Sequence, residues 1–363
     1  MFSYPTFRAL ICGFVISGMT AVVMFLGSAG GRHLDPALAG YQLGIILASY
    51  LVGYRTGLWI QRPATALFFR EGILCLLKTA WIRDPIRSRK NTISSRSVNW
   101  KNPLFLFREF TSKFAEQRFI RKRSLYRWTM HLCLSGGCTL AFAITFPLVF
   151  GWVHFESMPE FAEVYEVIVF GIHADRFHIE SVKGFLVLNA LNISAGVVLV
   201  GLIMAFLRRI FDNGVRAVQT FYEDILPLIL ILLVTLTGLM LTVSYDFLDG
   251  RGHSGIAKIH MLTVVALFFY IPYGKLFHIF QRGLVMSVSI FKARGSEGVQ
   301  SYCLRCSTPF ASKLHIEGLK SVLENLGFDY TYRSDNRSVH YQDVCPPCRR
   351  KLLGVNQGIS LNR

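Results

Sequence analysis

Two sets of residues in this chain have the types and spacing that chemistry requires. The first lies near the C-terminus, in YCLRCSTPF and DVCPPCRR, where Cys303, Cys306, Cys345 and Cys348 form two CxxC pairs. Four thiolates arranged this way suit tetrahedral zinc, or a single iron held as in rubredoxin. A redox-active dithiol or a pair of chance turns is the plainer reading. The other cysteines, Cys12, Cys75, Cys133 and Cys138, are scattered in or beside apolar segments, so no secreted disulfide framework is drawn. The pattern fits a metal site in a reducing compartment.

The second set is histidine at apolar depth. KIHMLTVVALFFYIPYGKLFHIFQR runs from Lys258 to Arg282 and keeps His260 and His278. Read as one helix, it separates them by five turns, so both imidazoles leave the same face about 27 Å apart along the axis. RSLYRWTMHLCLSGGCTL places His131 on an antiparallel segment at a depth matching His278. Polar groups inside a bilayer are costly and are functional candidates for that reason. Neutral imidazole is an axial ligand of haem iron, and His131 with His278 forms a candidate pair. Ser135, Gly136 and Gly137 leave room for a flat porphyrin, and equally suit close helix packing. An isolated histidine at a span end reads first as an interfacial residue. Ion transport is the competing functional use, but the six apolar spans contain no Asp or Glu.

The elements that must position these residues follow from composition. The 363 residues are 52% hydrophobic and only 17% charged, below the roughly 25% of soluble domains. Six stretches are long and apolar enough to cross a bilayer: 7–27, 37–59, 128–153, 184–207, 225–245 and 256–280. Residues 66–82 carry Arg70, Glu71 and Lys78 and read as an amphipathic interfacial helix. The net charge of +17 is concentrated in RDPIRSRK, RFIRKRSLYR, LRRIF and the tail. Such an excess marks cytoplasmic loops rather than nucleic-acid binding, and it puts both termini in the cytoplasm. Arg62, Arg87 and the RKR at 121–123 are expected to set orientation and meet lipid head groups. Trp59, Trp128 and Trp152 fall at span ends, as interfacial anchors do.

The expected fold is an all-α membrane protein: six transmembrane helices in a haem-binding bundle, plus a small C-terminal α/β metal-ribbon-like domain. Its parts are two N-terminal spans (1–60), a basic segment (61–127), a four-helix bundle (128–282) and a four-cysteine metal-binding tail (290–363). Residues 155–182 are expected to form a solvated acidic loop on the outer side. There His173, His178 and Glu180 are candidate quinol or proton groups.

HMLTVVALFFYIPYGKLFHIF resembles the last helix of the cytochrome b (gamma) subunit of respiratory nitrate reductases. That wider family includes membrane subunits of dissimilatory sulfite reductase and heterodisulfide reductase complexes. RWTMH with its following small residues, GLIMAFLRRIF and ILLVTLTGLMLT resemble the other bundle helices, so the likeness covers about Arg127 to Arg282. It implies electron transfer between the quinone pool and a cytoplasmic-side partner in a bacterial-type inner membrane, through two stacked haems b. Iron–sulfur or molybdenum-type subunits would carry the catalysis. The family's ligand helix has a second histidine about ten residues after the first. Here Ala141 stands there, and no histidine follows until His154. His260 therefore has no evident partner: His154, His173, His178, His253 or Met240 are the options, or the outer haem is five-coordinate or absent. The alternative is a haem-free transporter or assembly scaffold with a zinc-ribbon docking domain.

Overall fold

The computed structural model describes residues 4–81, 103–158, 161–334 and 337–361. The basic stretch 83–90, with Arg87, lies outside them. The chain is mostly helical and forms two compact units, one from residues up to Leu58 with Gln117–Ile279, the other from Trp59–Glu116 with Phe280–Arg363. Within the second unit, the segment after the second span groups with the tail.

The first unit holds six helices long and apolar enough to cross a membrane. They are the first span Tyr4–Gly27, the second Ala39–Ile60, the third Leu125–Val149, the fourth Ala190–Phe211, the fifth Leu226–Phe247 and the sixth His253–Tyr270. Their outward faces are apolar: Phe14, Met19 and Leu26 are each more than 60% exposed. Only a hydrocarbon surround makes such faces favourable, and helices satisfy their own backbone there. This is the build of an integral membrane protein.

Small residues let the spans approach closely. A Cβ on Gly137 would lie 2.6 Å from Val198, and one on Gly201 would lie 2.8 Å from Leu134, so the third and fourth spans meet through their glycines. Ser194 Oγ, fully buried, donates to the Gly137 carbonyl across the same seam at 2.9 Å.

The sixth span corrects the sequence reading. It is not continuous to residue 280 but stops at Tyr270. A turn follows, then a short 3-10 turn Lys275–Phe277 and a short helix His278–Gln281. Pro272 removes a backbone donor and its ring clashes with the preceding turn, which ends the helix there. The five-turn spacing of His260 and His278 along one axis is lost with it.

The segment between the third and fourth spans also differs from the expected loop. It forms an antiparallel sheet, β1 (Val153–Met158), β2 (Phe161–Val169) and β3 (Ile172–His178), in the order β1-β2-β3. Glu166 sits opposite Glu156 on one side and Arg176 on the other. The alternation in FAEVYEVIV is the strand signal, hidden by its acidic residues.

In the second unit, helix Pro63–Trp81 packs on helix Gly283–Glu297, which runs through residue 290. Arg294 donates to Glu71 at 2.6 Å between them. The tail adds two hairpins, β4 (Gln300–Tyr302) with β5 (Pro309–Ser312) and β6 (Thr331–Ser334) with β7 (Arg337–His340). Helix Lys313–Asn325 lies between them and helix Pro346–Leu361 follows.

Candidate functional site

Three groupings of ligand-type residues emerge, and two involve the membrane histidines. His131, in the second turn of the third span, and His278, just after the break at Pro272, lie with ring centroids 6.4 Å apart and planes at 68°. His278 Nδ1 is 2.7 Å from the Lys275 carbonyl. A carbonyl only accepts, so Nδ1 carries the proton and Nε2 keeps its lone pair. The break that ends the sixth span is what brings this ring and this carbonyl together. Arg55, on the second span, holds the turn in place: its guanidinium donates to the Pro272 carbonyl and lies 4.4 Å from the centre of the Phe277 ring. Gln117 is buried beside the third span and donates to Ser135 Oγ at 2.8 Å, so Ser135 is engaged by its own neighbour.

His260 is placed differently. Its Nδ1 lies 2.9 Å from Thr237 Oγ1 on the fifth span. The Thr237 hydroxyl also reaches the Leu233 carbonyl at 2.7 Å, so it sits between the imidazole and its own helix backbone. His260 lines a partly open cavity of about 470 Å³ among the second to sixth spans, with Tyr41, Ala141, Asn192 and Phe268 among its walls. None of the residues considered as its partner lines that cavity. His154 stacks on His33 with centroids 4.5 Å apart, and Met240 is 51% exposed. His173 meets Glu166 at 3.0 Å and His178 meets Glu163 at 2.9 Å in the sheet. His253 is exposed at the start of the sixth span. The substitutes proposed from sequence are therefore set aside for this position. Glu180 contributes its backbone N–H to His178 Nδ1 at 3.2 Å.

The third grouping is the tail. Cys303, Cys306, Cys345 and Cys348 offer sulfurs that all lie within 4.8 Å of one another, and among the described residues this is the cluster able to hold a metal ion. The first knuckle is closed by Ser307 N–H on the Cys303 carbonyl at 2.8 Å and by Cys303 N–H on the Thr308 carbonyl at 2.9 Å. The second runs into the N-terminus of helix Pro346–Leu361, where the helix dipole favours a thiolate. Leu304 N–H donates to the Asp343 carbonyl at 3.1 Å and joins the two. Cys303, Cys345 and Cys348 are buried, with Val344, Phe310 and Leu352 packed around them, while Cys306 is exposed. Burial opposes ionisation of Cys303, but backbone N–H groups of Cys345, Cys306 and Arg305 outweigh it and bring the thiol down to about 6. Contact with Cys345, then burial and the other thiols, pushes Cys348 up to about 12. A cation bound among the four sulfurs would favour their thiolate forms. The Cys306–Cys345 sulfur separation of 3.7 Å matches the edge of a tetrahedron with metal–sulfur bonds of about 2.3 Å.

Sequence reading named the four cysteines and the His131–His278 pair, and the structure brings each set together. It missed Thr237, Tyr41 and Arg55, which were read only as span content. Arg55 alone carried a signal, being a full charge inside an apolar run. No family model, curated protein or solved structure matches the chain.

Proposed function

We propose that this chain is the haem b membrane subunit of a respiratory oxidoreductase complex, passing electrons between the quinone pool and a cytoplasmic-side partner subunit. The observation that carries the reading is the 6.4 Å separation of the His131 and His278 rings. A metal–imidazole bond of about 2 Å on each side, with each nitrogen about 1 Å from its ring centre, spans about 6 Å between centroids. Bound there, a haem supplies a one-electron carrier inside the apolar bundle. His131 and His278 would hold it from two spans. The Lys275 carbonyl fixes the tautomer of His278, and Arg55 fixes the turn that carries it. The likeness of residues 127–282 to nitrate reductase gamma subunits points the same way, with one departure: Ala141 offers no ligand, so this chain is assigned one such haem.

The tail cluster would hold zinc or a single iron and dock or feed a partner of iron–sulfur or molybdenum type, in which the catalytic chemistry resides. The charge distribution supports cytoplasmic termini, and the family likeness supports a bacterial-type inner membrane. The second reading, a haem-free transporter or scaffold with a zinc-ribbon docking domain, is favoured by the cysteine cluster lying in its own compact unit.

Absorption separates the two. The purified chain should show a Soret band, and the alpha band of a b-type haem after dithionite. His278→Ala should lose both bands, while His154→Ala should keep them. A colourless wild-type preparation containing stoichiometric zinc would instead establish the scaffold.

A further inference from the structure

The hairpin between β2 and β3 turns on residues that neither the backbone nor water favours. Val153, the first residue of β1, pairs with Val169, the last of β2, so the strand returns to the end of the third span. Phe170 and Gly171 make the turn, with φ of +51° and +79°. Two consecutive residues at positive φ mark a type I′ hairpin turn, whose first position asparagine or aspartate normally fills. A bulky aromatic residue in that conformation is costly. The same Phe170 is 56% exposed, and Ile172 beyond the turn is 69% exposed. Apolar area left in water adds a second cost. The turn is also fixed at the level of the span ends. Phe170 N–H donates to the Trp152 carbonyl at 2.7 Å, and the two rings lie 5.6 Å apart. The Trp152 indole donates to the Val23 carbonyl of the first span at 3.4 Å, and it lies over Gly27, where a Cβ would strike the ring. Trp152 therefore joins the hairpin tip to the last turn of the first span, which exposes Phe25 and Leu26.

We propose that Phe170 and Ile172 form a membrane anchor: the tip of the β2–β3 hairpin enters the boundary between lipid headgroups and acyl chains and pins one end of the sheet to the bilayer. In lipid both side chains leave water, and that gain offsets the left-handed backbone of Phe170. Trp152, at the same level, is of the residue type enriched at this boundary. Lipid is the occupant, rather than a protein partner, because the tip is tied to the end of a span whose outward face already lies in hydrocarbon. Phe161 begins the nine-residue β2 and is also exposed, but it has ordinary extended backbone. It lies about 27 Å from the tip along the strand and stands away from the bilayer. The anchor uses none of the haem ligands and is independent of the function proposed above.

The test places the photoreactive residue benzoylphenylalanine at single positions of the full-length chain, held in nanodiscs of phosphatidylcholine and phosphatidylglycerol. Mass spectrometry after irradiation reads whether a phospholipid has been captured. Replacing Phe170 should give a lipid adduct at a yield close to that from the lipid-facing Leu26, and replacing Phe161 should give only background. No lipid adduct at position 170 beside a clear one at Leu26 would overturn the proposal. So would equal yields at 161 and 170, because exposure rather than depth would then account for both. The same irradiation in native membranes reads the competing occupant: a protein adduct at 170 in place of lipid would overturn the anchor and assign the tip to a partner. If the chain altered at Phe170 fails to fold, the same replacement of Ile172 decides by the same comparison.

Discussion

His278 and His260 are anchored by different local means. Each has Nδ1 tied to a fixed oxygen, a backbone carbonyl for His278 and a threonine hydroxyl for His260. The carbonyl leaves His278 its Nε2 lone pair, and His278 lies beside a second imidazole, whereas His260 lies beside Tyr41. The difference between a ligand pair and a single hydrogen-bonding group thus rests on the residue opposite. At the tail the same scale governs reactivity. Cys306 is exposed, and its thiol is held below the usual range by hydrogen bonding to Thr308, first through the side chain and then the backbone. After metal is stripped, Cys306 should be the cluster thiol that iodoacetamide alkylates fastest at neutral pH, with the buried Cys345 and Cys348 lagging at least tenfold. Reloading zinc should protect it. Peptide mapping of alkylated samples with and without chelator measures this. Equal labelling of all four thiols would show that the knuckles open when the metal leaves.

Elements decide whether those residues meet. Pro272 breaks the sixth span, and Arg55 caps the resulting turn by taking the Pro272 carbonyl and covering Phe277. A free carbonyl at this depth is costly, and the guanidinium answers it. Arg55→Ala should therefore loosen the turn and cut retained haem by more than half after detergent washing, although Arg55 is assigned no contact with the haem. Arg55→Lys should recover part of it, and a shifted midpoint potential in the haem that remains would mark altered ligand orientation rather than general unfolding. The β-sheet shows the same dependence on pairing. The Arg176 hydrogen bond, helped by His173, holds the Glu166 carboxyl below its ordinary range. A depressed carboxylate stabilises the fold above its unfolded pKa and loses that contribution as pH falls through the folded value. Hydrogen exchange across 161–178 should accelerate below about pH 4, and Glu166→Gln should show the faster exchange already at pH 7. Both features were partly legible. The proline was visible in IPYG, but an unbroken apolar run outweighed it, and the strand alternation in FAEVYEVIV was masked by glutamates that prove to be cross-strand partners. The first, second, third and fifth spans were read with ends within four residues because lipid imposes length and polarity together, whereas the sixth ends ten residues short of its expected end. Tyr41 and Thr237 gave no such signal, since a tyrosine or threonine in an apolar helix is ordinary until its neighbours are known.

For the whole molecule, the governing constraint is charge across the bilayer. Six spans would return the chain to its starting side, so that the termini share a compartment and the sheet lies opposite. On that topology the basic residues in RFIRKRSLYR and LRRIF would fall in loops of the termini's side, while β1 to β3 and their flanks carry Glu156, Glu160, Glu163, Glu166 and Glu180. That distribution predicts the sheet outside and the tail in the cytoplasm, where thiols remain reduced and the four-cysteine cluster keeps its metal. The test is labelling of intact cells with a membrane-impermeant maleimide. Val182 is 79% exposed just after β3, and Val182→Cys should be labelled without permeabilisation. Cys306 should be labelled only after permeabilisation and chelation together. The reverse pattern would place the cluster in an oxidising space, where two CxxC pairs would close as disulfides. It would remove the cytoplasmic partner from the proposed electron path.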